Sequence, residues 1–317
     1  MICATEYAGW PHCYRLTNGD VELVVTTDIG PRVIRCGFVG GQNLFKEFRD
    51  QSGKSGEPDW QPRGGHRLWI APESVALSYG LDNSPVEAFV EDDSITLTQP
   101  VEPETGFRKQ MTVKLGLTGI EVVHRLRNTN GSARTVAPWA LTMMAPGGTA
   151  ITAFPSRGQH PQALQPTNPL VMWGYTDFSD PRWKFTAKYL ILRQDPLATS
   201  AVKAGLWNRD TWMAYLLGSD LFVKSATASK GPGQYPDMGC SLETFANGDF
   251  LEMETLGPLE PVAPQAEIVH VEHWTLHRNI CISEWTDDEL DRVLSATIES
   301  WRVSRRESPA GRSWSPE

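Results

Sequence analysis

The amino-acid sequence predicts a mainly β fold of antiparallel strands, and three observations carry that prediction. Several segments alternate apolar and polar residues, the period-two pattern of strands with one buried face. Turn formers are frequent, with 27 Gly and 23 Pro in 317 residues. Strand patterns are not interleaved with helical ones, which disfavours a parallel doubly wound sheet.

The elements follow in chain order. Val21 to Thr26 comes after an Asn18-Gly19-Asp20 turn and Arg32 to Phe38 after Gly30-Pro31, both enriched in β-branched residues. Ser94 to Thr98, Lys109 to Leu115 and Ile120 to Leu126 alternate cleanly, and Leu117-Thr118-Gly119 joins the last two as a hairpin. Val136 to Met144, Tyr189 to Leu192, Trp212 to Leu217, Leu221 to Lys224, Phe250 to Thr255 and Ile268 to Leu276 complete the strands. One helix is expected over 286–301. Thr286-Asp287-Asp288-Glu289 has the form of a capping box, and Leu290, Val293, Leu294, Thr297, Ile298 and Trp301 recur at helical spacing. It should cap the sheets. Residues 302–317, rich in Arg, Ser and Pro without periodicity, read as a flexible tail. No repeat or linker divides residues 1–301, which are read as a single domain.

Composition narrows the partners. With 29 basic and 38 acidic residues the formal net charge is -9, which argues against nucleic acid or a membrane surface and suits a small neutral or cationic ligand. No apolar run reaches the ~20 residues of a membrane helix, and the first residues lack the basic and apolar regions of a signal peptide, so a cytoplasmic location is expected. The 5 cysteines form no CxxC pair and read as reduced thiols, and Asn130-Gly131-Ser132 reads as a turn.

Nucleotide motifs fail on spacing. Gly53-Lys54-Ser55 has Phe48 where a phosphate-binding loop needs glycine, and no G-x-G-x-x-G joins a strand to a helix, so neither ATP nor NAD is implied. Along His270 to His277, His273 and His277 would stand about 13 Å apart on a strand, too far to share an ion. His270 and Glu272 are close enough to share one, though a solvated strand face explains them as well. No metal and no other cofactor is expected.

Three features suit a polyhydroxylated ligand. Arg63-Gly64-Gly65-His66-Arg67-Leu68-Trp69, ahead of Glu73, combines guanidinium donors for hydroxyls, a titratable imidazole and an indole face for the C–H side of a sugar ring. A structural turn with an Arg63 or Arg67 pair to Glu73 and a core Trp69 is the other reading. Later, Glu252 and Glu254 project to one face of a strand, about 6.6 Å apart, and can act as general base and hydroxyl acceptor; two solvated acids are the alternative. Finally, Trp60, Trp173, Trp183 and Trp207 lie in polar loops where stacking platforms occur.

The order of these motifs resembles the galactose mutarotase-like superfamily and, within it, the uncharacterised DUF4380 family. The matching residues are Val24 to Arg32, Gly64 to Glu73, Tyr235 to Cys240 and Leu251 to Leu259. The resemblance implies a β-supersandwich of two large antiparallel sheets with a carbohydrate cleft on a concave face. It further implies aldose 1-epimerase chemistry, in which a late-strand glutamate deprotonates the anomeric hydroxyl while a histidine protonates the ring oxygen. Glu254 matches that glutamate. Where the family's histidine stands, this chain has Ala137 to Met144 without one, which leaves His66 as the candidate acid.

The function expected is therefore that of a cofactor-independent carbohydrate-binding protein of mutarotase type, with Glu254 as base and His66 as acid. Arg63, Arg67, Trp69, Glu73, Tyr235, Asp237 and Glu252 are expected to hold the sugar. A non-catalytic sugar-binding or sensing protein is the alternative, and a lyase or hydrolase acting on a glycosidic bond is a third.

Overall fold

The computed structural model describes residues 1–295 and 297. The N-terminal strands are β1 (Ile2–Tyr7), β2 (Trp10–Thr17), β3 (Val21–Thr26), β4 (Arg32–Phe38) and β5 (Gly65–Ala71), followed by a single helical turn, α1 (Val75–Ser78). Next come β6 (Glu87–Val90), β7 (Ser94–Thr98), β8 (Phe107–Leu115), β9 (Ile120–Asn128), β10 (Arg134–Met144) and β11 (Thr149–Ala153). The middle of the chain adds β12 (Leu170–Met172), β13 (Trp183–Phe185), β14 (Tyr189–Arg193), β15 (Val202–Leu206), β16 (Trp212–Leu217) and β17 (Asp220–Ser225). The last strands are β18 (Leu242–Ala246), β19 (Leu251–Leu256), β20 (Glu260–Val262) and β21 (Glu267–His277).

They form two antiparallel sheets. One has 11 strands in the order β1-β2-β3-β4-β5-β10-β19-β18-β15-β12, with β20 also pairing β10. The other has 10, in the order β13-β14-β11-β16-β17-β21-β9-β8-β7-β6. The main core lies between them: Leu23, Val25 and Met253 of the first sheet meet Leu97, Val113 and Phe222 of the second. Phe45, Phe222 and Trp274 pack edge to face there, with centroids 5.4 to 5.7 Å apart.

Every strand expected from the sequence is present, and the mainly β class with its C-terminal helix is observed. That helix covers 287–295 among the described residues, one residue later than expected, and buries Leu290 and Leu294 against Ile151, Tyr189 and Ile191 of the second sheet. Its expected end at Trp301 and the tail 302–317 lie outside the described residues. No helix among the described residues is long and apolar enough to cross a membrane.

Strand alternation gives the 11-stranded sheet two different polar faces. On β5, Arg67 and Trp69 point away from the second sheet, whereas His66 and Leu68 point towards it. On β19, Glu252 and Glu254 point away and Met253 and Thr255 inwards.

Candidate functional site

Register lines up the outward side chains in rows across the middle of the first sheet. Arg67 pairs with Leu141, Leu141 with Glu254, and Glu254 with Glu243. The neighbouring row runs from Gly65 through Met143, Glu252 and Phe245 to Lys203. Trp69 pairs with Trp139 on the other side. Above these rows opens a cleft of about 560 Å³ whose walls include Trp60, Arg67, Trp69, Glu73, Tyr79, Trp139, Trp173, Lys203 and Glu252. It combines aromatic faces with a few polar groups, the usual make-up of a small-molecule site.

The polar floor is an ion cluster. Lys203 Nζ lies 2.7 Å from Glu243 and 2.9 Å from Glu254, and 4.7 Å from the centres of the Trp139 and Trp173 rings. Trp139 Nε1 donates to Glu254 Oε2 at 2.8 Å, while Glu254 Oε1 has no hydrogen-bond partner. Burial opposes the charge on Lys203, yet Glu243 and Glu254 push its ammonium well above the usual lysine range. Burial raises the Glu243 carboxyl strongly. At Glu252, burial and then repulsion from Glu254 lift the carboxyl to about 8, with Arg67 and Lys203 opposing. Glu252 is therefore protonated at neutral pH, beside Glu254, whose Oε2 meets the Lys203 ammonium and the Trp139 indole.

Arg67 lies between two indoles, its guanidinium 4.8 Å from the Trp60 ring centre and 4.4 Å from that of Trp69. Burial pulls it down to about 10, so it stays cationic at neutral pH. The loop before β5 is fixed by Arg32, whose Nη1 donates to Gly64 O at 2.5 Å and Pro62 O at 3.0 Å while Nη2 pairs with Asp82 at 2.7 Å. At Gly64 and Gly65, φ is +76° and +70°, and a Cβ on either would overlap the carbonyl of Lys46 or Val33.

The structure brings Arg67, Trp69, Glu73 and Glu252 together on the cleft wall, with Glu254 directly beneath. It corrects the placement of His66. The pleat turns this side chain to the opposite face from Arg67, where it is fully buried between the sheets, so it cannot face a ligand together with Glu254. Arg63 is likewise diverted: its guanidinium pairs with Glu57 and donates to Lys54 O at 2.7 Å, inside the loop rather than on the cleft wall. Tyr235 packs in an apolar cluster with Trp69, Trp139 and Leu256. Asp237 lies beside Glu243 and is not part of the cleft wall, its carboxyl raised by burial. The Arg pair to Glu73 of the structural-turn alternative is not formed; Glu73 accepts from Tyr79 Oη at 2.7 Å. Trp60 and Trp173 line the cleft, whereas Trp183 joins the core and Trp207 packs in the cluster around Trp69.

Lys203, Glu243, Trp139 and Tyr79 were not anticipated. A lone lysine within Ala201-Val202-Lys203-Ala204-Gly205 was the available signal, because a charge inside an apolar strand needs a partner.

Between the sheets lies a second polar cluster. Glu272 of β21 receives Lys224 Nζ at 2.7 Å, Trp274 Nε1 at 3.0 Å and the Thr255 hydroxyl. Lys224 also donates to Thr142 Oγ1 at 2.9 Å and Met253 O at 3.1 Å. His66 Nε2 and His124 Nε2 are 3.0 Å apart, and His66 Nδ1 is 2.8 Å from Thr142 Oγ1. The two imidazoles lie 3.6 and 3.9 Å from Glu272 Oε2, within ligating distance of a common ion. Lys224 already supplies the cation that Glu272 requires, and a divalent ion would add a second positive centre in a closed layer. His270 and Glu272 do not face a shared vacancy, because the Thr255 hydroxyl lies between them, 2.8 Å from His270 Nε2. Burial opposes ionisation of Glu272, but Lys224 and then His66 hold it well below the usual carboxylate range. Burial keeps His66 neutral and takes His270 to about 4.

This architecture is that of the galactose mutarotase-like fold. The chain superposes on a galactose mutarotase-like protein from Lactobacillus casei with a TM-score of 0.55 at 11% identity, covering 83% of this chain and 99% of that one. Slr1438 from Synechocystis gives 0.54 at 12% identity over 87% and 99% of the two chains. A putative aldose 1-epimerase from Escherichia coli K12 gives 0.50 at 13% identity over 84% and 99%. No family model matches the sequence, and no curated protein does.

Proposed function

We propose that the cleft on the outer face of the 11-stranded sheet binds a carbohydrate and interconverts its anomers, as a cofactor-independent protein of mutarotase type. The observation that carries this reading is the pair of carboxyl groups on one face of β19: Glu252 on the cleft wall with its proton held by burial, and Glu254 beneath it with one oxygen free of hydrogen bonds. Two carboxyl groups in unlike surroundings on one strand can divide the roles of acid and base. Trp60, Trp69 and Trp173 offer faces for the ring, and Arg67 and Glu73 offer polar contacts.

In this mechanism Glu254 Oε1 takes the proton of the anomeric hydroxyl as the C1–ring-oxygen bond breaks. The bond's electron pair goes to the ring oxygen, which receives the Glu252 proton. The open-chain aldehyde rotates about C1–C2, and reclosure on the other face returns each proton to its donor. Glu252 thus takes the acid role first assigned to His66. A small sugar metabolite as partner, a cytoplasmic setting and one domain over 1–301 belong to the same proposal, as does a place beside the DUF4380 proteins on the motifs Gly64 to Glu73 and Leu251 to Leu259.

Saturation-transfer NMR on an aldose panel tests it. General acid–base catalysis is worth about 10²- to 10⁴-fold, so Glu254→Gln and Glu252→Gln should each remove most of the exchange that the protein adds. Exchange in Glu254→Gln equal to wild type would refute the assignment. Sugar binding without turnover is the second reading, favoured by the Lys203 ammonium, which already occupies Glu254 Oε2 at 2.9 Å. Calorimetric affinity with no accelerated optical-rotation change would select it.

A further inference from the structure

We propose that the natural ligand of the cleft is a sugar acid, a hexuronate-type monosaccharide unit whose carboxylate docks on Arg67. The inference rests on the carbohydrate reading above and narrows it to a substrate class.

Four arginines are buried among the described residues: Arg32, Arg63, Arg67 and Arg182. Arg32 pairs with Asp82, Arg63 with Glu57 and Arg182 with Asp180. Arg67 alone has no ion pair. Its Nε and Nη2 have no hydrogen-bond partner, and its Nη1 makes only a 3.5 Å contact with Pro62 O. A guanidinium out of water without a carboxylate is costly, and the two flanking indoles offset only part of that cost. The other three arginines show how this fold meets the cost, with an acid from its own chain. At Arg67 the opposing side is the cleft, so the missing acid can arrive with the ligand.

The nearby groups do not fill that role. Glu254 and Glu243 are engaged by Lys203, Glu73 by Tyr79, and Glu252 carries its proton at neutral pH. The Arg67 guanidinium therefore has no acid among the described residues within ion-pairing distance and two nitrogens without a hydrogen-bond partner, which suits a ligand that brings one carboxylate. A planar carboxylate suits the guanidinium fork, whereas a phosphate dianion would bring two charges to one free cation beside Glu73. Spacing agrees. Arg67 and Glu254 are two strands apart on one face of the sheet, about 10 Å between backbones, a separation at which a single sugar ring can meet the glutamates with C1 and the arginine with C6. The net charge of -9 predicted a neutral or cationic ligand, but Arg67 offers a buried guanidinium with no ion pair to an anionic one.

Calorimetry of the full chain against galacturonate, glucuronate, galactose, glucose and glucose 6-phosphate tests the proposal. A uronate should bind at least about tenfold tighter than its neutral parent, the worth of one charged hydrogen-bonded contact. Arg67→Gln should abolish the preference for uronate over its neutral parent, whatever affinity for both remains, and Arg67→Lys should restore part of it. Equal affinity for galactose and galacturonate in wild type, or tighter binding of the phosphate, overturns the sugar-acid inference and leaves the carbohydrate reading intact. Binding of no member of the panel overturns both. If Arg67→Gln fails to fold, Arg67→Lys decides: a uronate preference identical to wild type in that variant contradicts a carboxylate docked on the guanidinium fork.

Discussion

The two faces of the 11-stranded sheet carry polar clusters made of similar parts, put to different use. Each has glutamate, lysine and tryptophan: Glu254, Lys203 and Trp139 on the outer face, Glu272, Lys224 and Trp274 on the inner. On the inner face nearly every donor and acceptor of the glutamate and lysine is satisfied, within a layer closed on both sides. On the outer face Glu254 Oε1 and two nitrogens of Arg67 are left without partners, and the cleft opens beside them. Satisfied polar groups hold a structure, and unsatisfied ones beside a cavity have binding energy left for a ligand.

The largest effect should come from breaking the closed cluster. Glu272→Ala strands the Lys224 ammonium and should cost about 3–5 kcal/mol of stability, read as a lower denaturant midpoint, whereas Glu254→Gln keeps a hydrogen-bonding isostere and should cost less. Equal losses would erase the distinction between the two faces.

The clusters should also respond oppositely to pH. His270 binds its proton at about 4 in the folded state, below the unfolded value of about 6.5. Between those values the unfolded chain holds more protons, so stability falls as pH drops from about 6.5 to 4 and levels off below, by up to about 3 kcal/mol. Glu272, held low by Lys224 and His66, adds a loss of the same sign as pH falls. Glu252 works the other way. Its folded value of about 8 lies above the usual carboxyl value, so its contribution is complete at low pH and is lost as pH rises to about 8. Glu252→Gln, which mimics the protonated acid, should therefore gain on wild type by up to a few kcal/mol as pH rises, in melts taken from pH 4.5 to 8.5. A constant difference would place Glu252 in ordinary solvent.

At the small end, Arg125→Ala removes a solvent-exposed pair with Glu267 on the outer side of the second sheet and should cost under about 1 kcal/mol. A larger loss would show that this surface is not free.

Much of the fold was legible because β8 and β9 bury one face and wet the other, so Phe107 to Asn128 alternates visibly. β5, β15 and β18 were missed because they are covered on both sides. Their polar residues are buried in ion pairs and clusters, and alternation of polarity no longer reports alternation of exposure. The same blindness misplaced His66. Once Gly65–Ala71 is known to be a strand, adjacent His66 and Arg67 must take opposite faces. Glu252 and Glu254 were correctly assigned to one face, since β19 alternates with Leu251 and Met253. Lys203 and Glu243 escaped notice because their pairing joins distant segments.

The glycines before Arg67 tie these faces together. With carbonyls of Lys46 and Val33 packed where side chains would begin, Gly64 and Gly65 fix where β5 enters the sheet and which way its first pleat turns. An alanine at either position would have to lift the strand, tilting the binding arginine and the core imidazole together. The affinity of the pocket and the integrity of the layer beneath it therefore share one hinge pin, and variation at that pin should damage both at once.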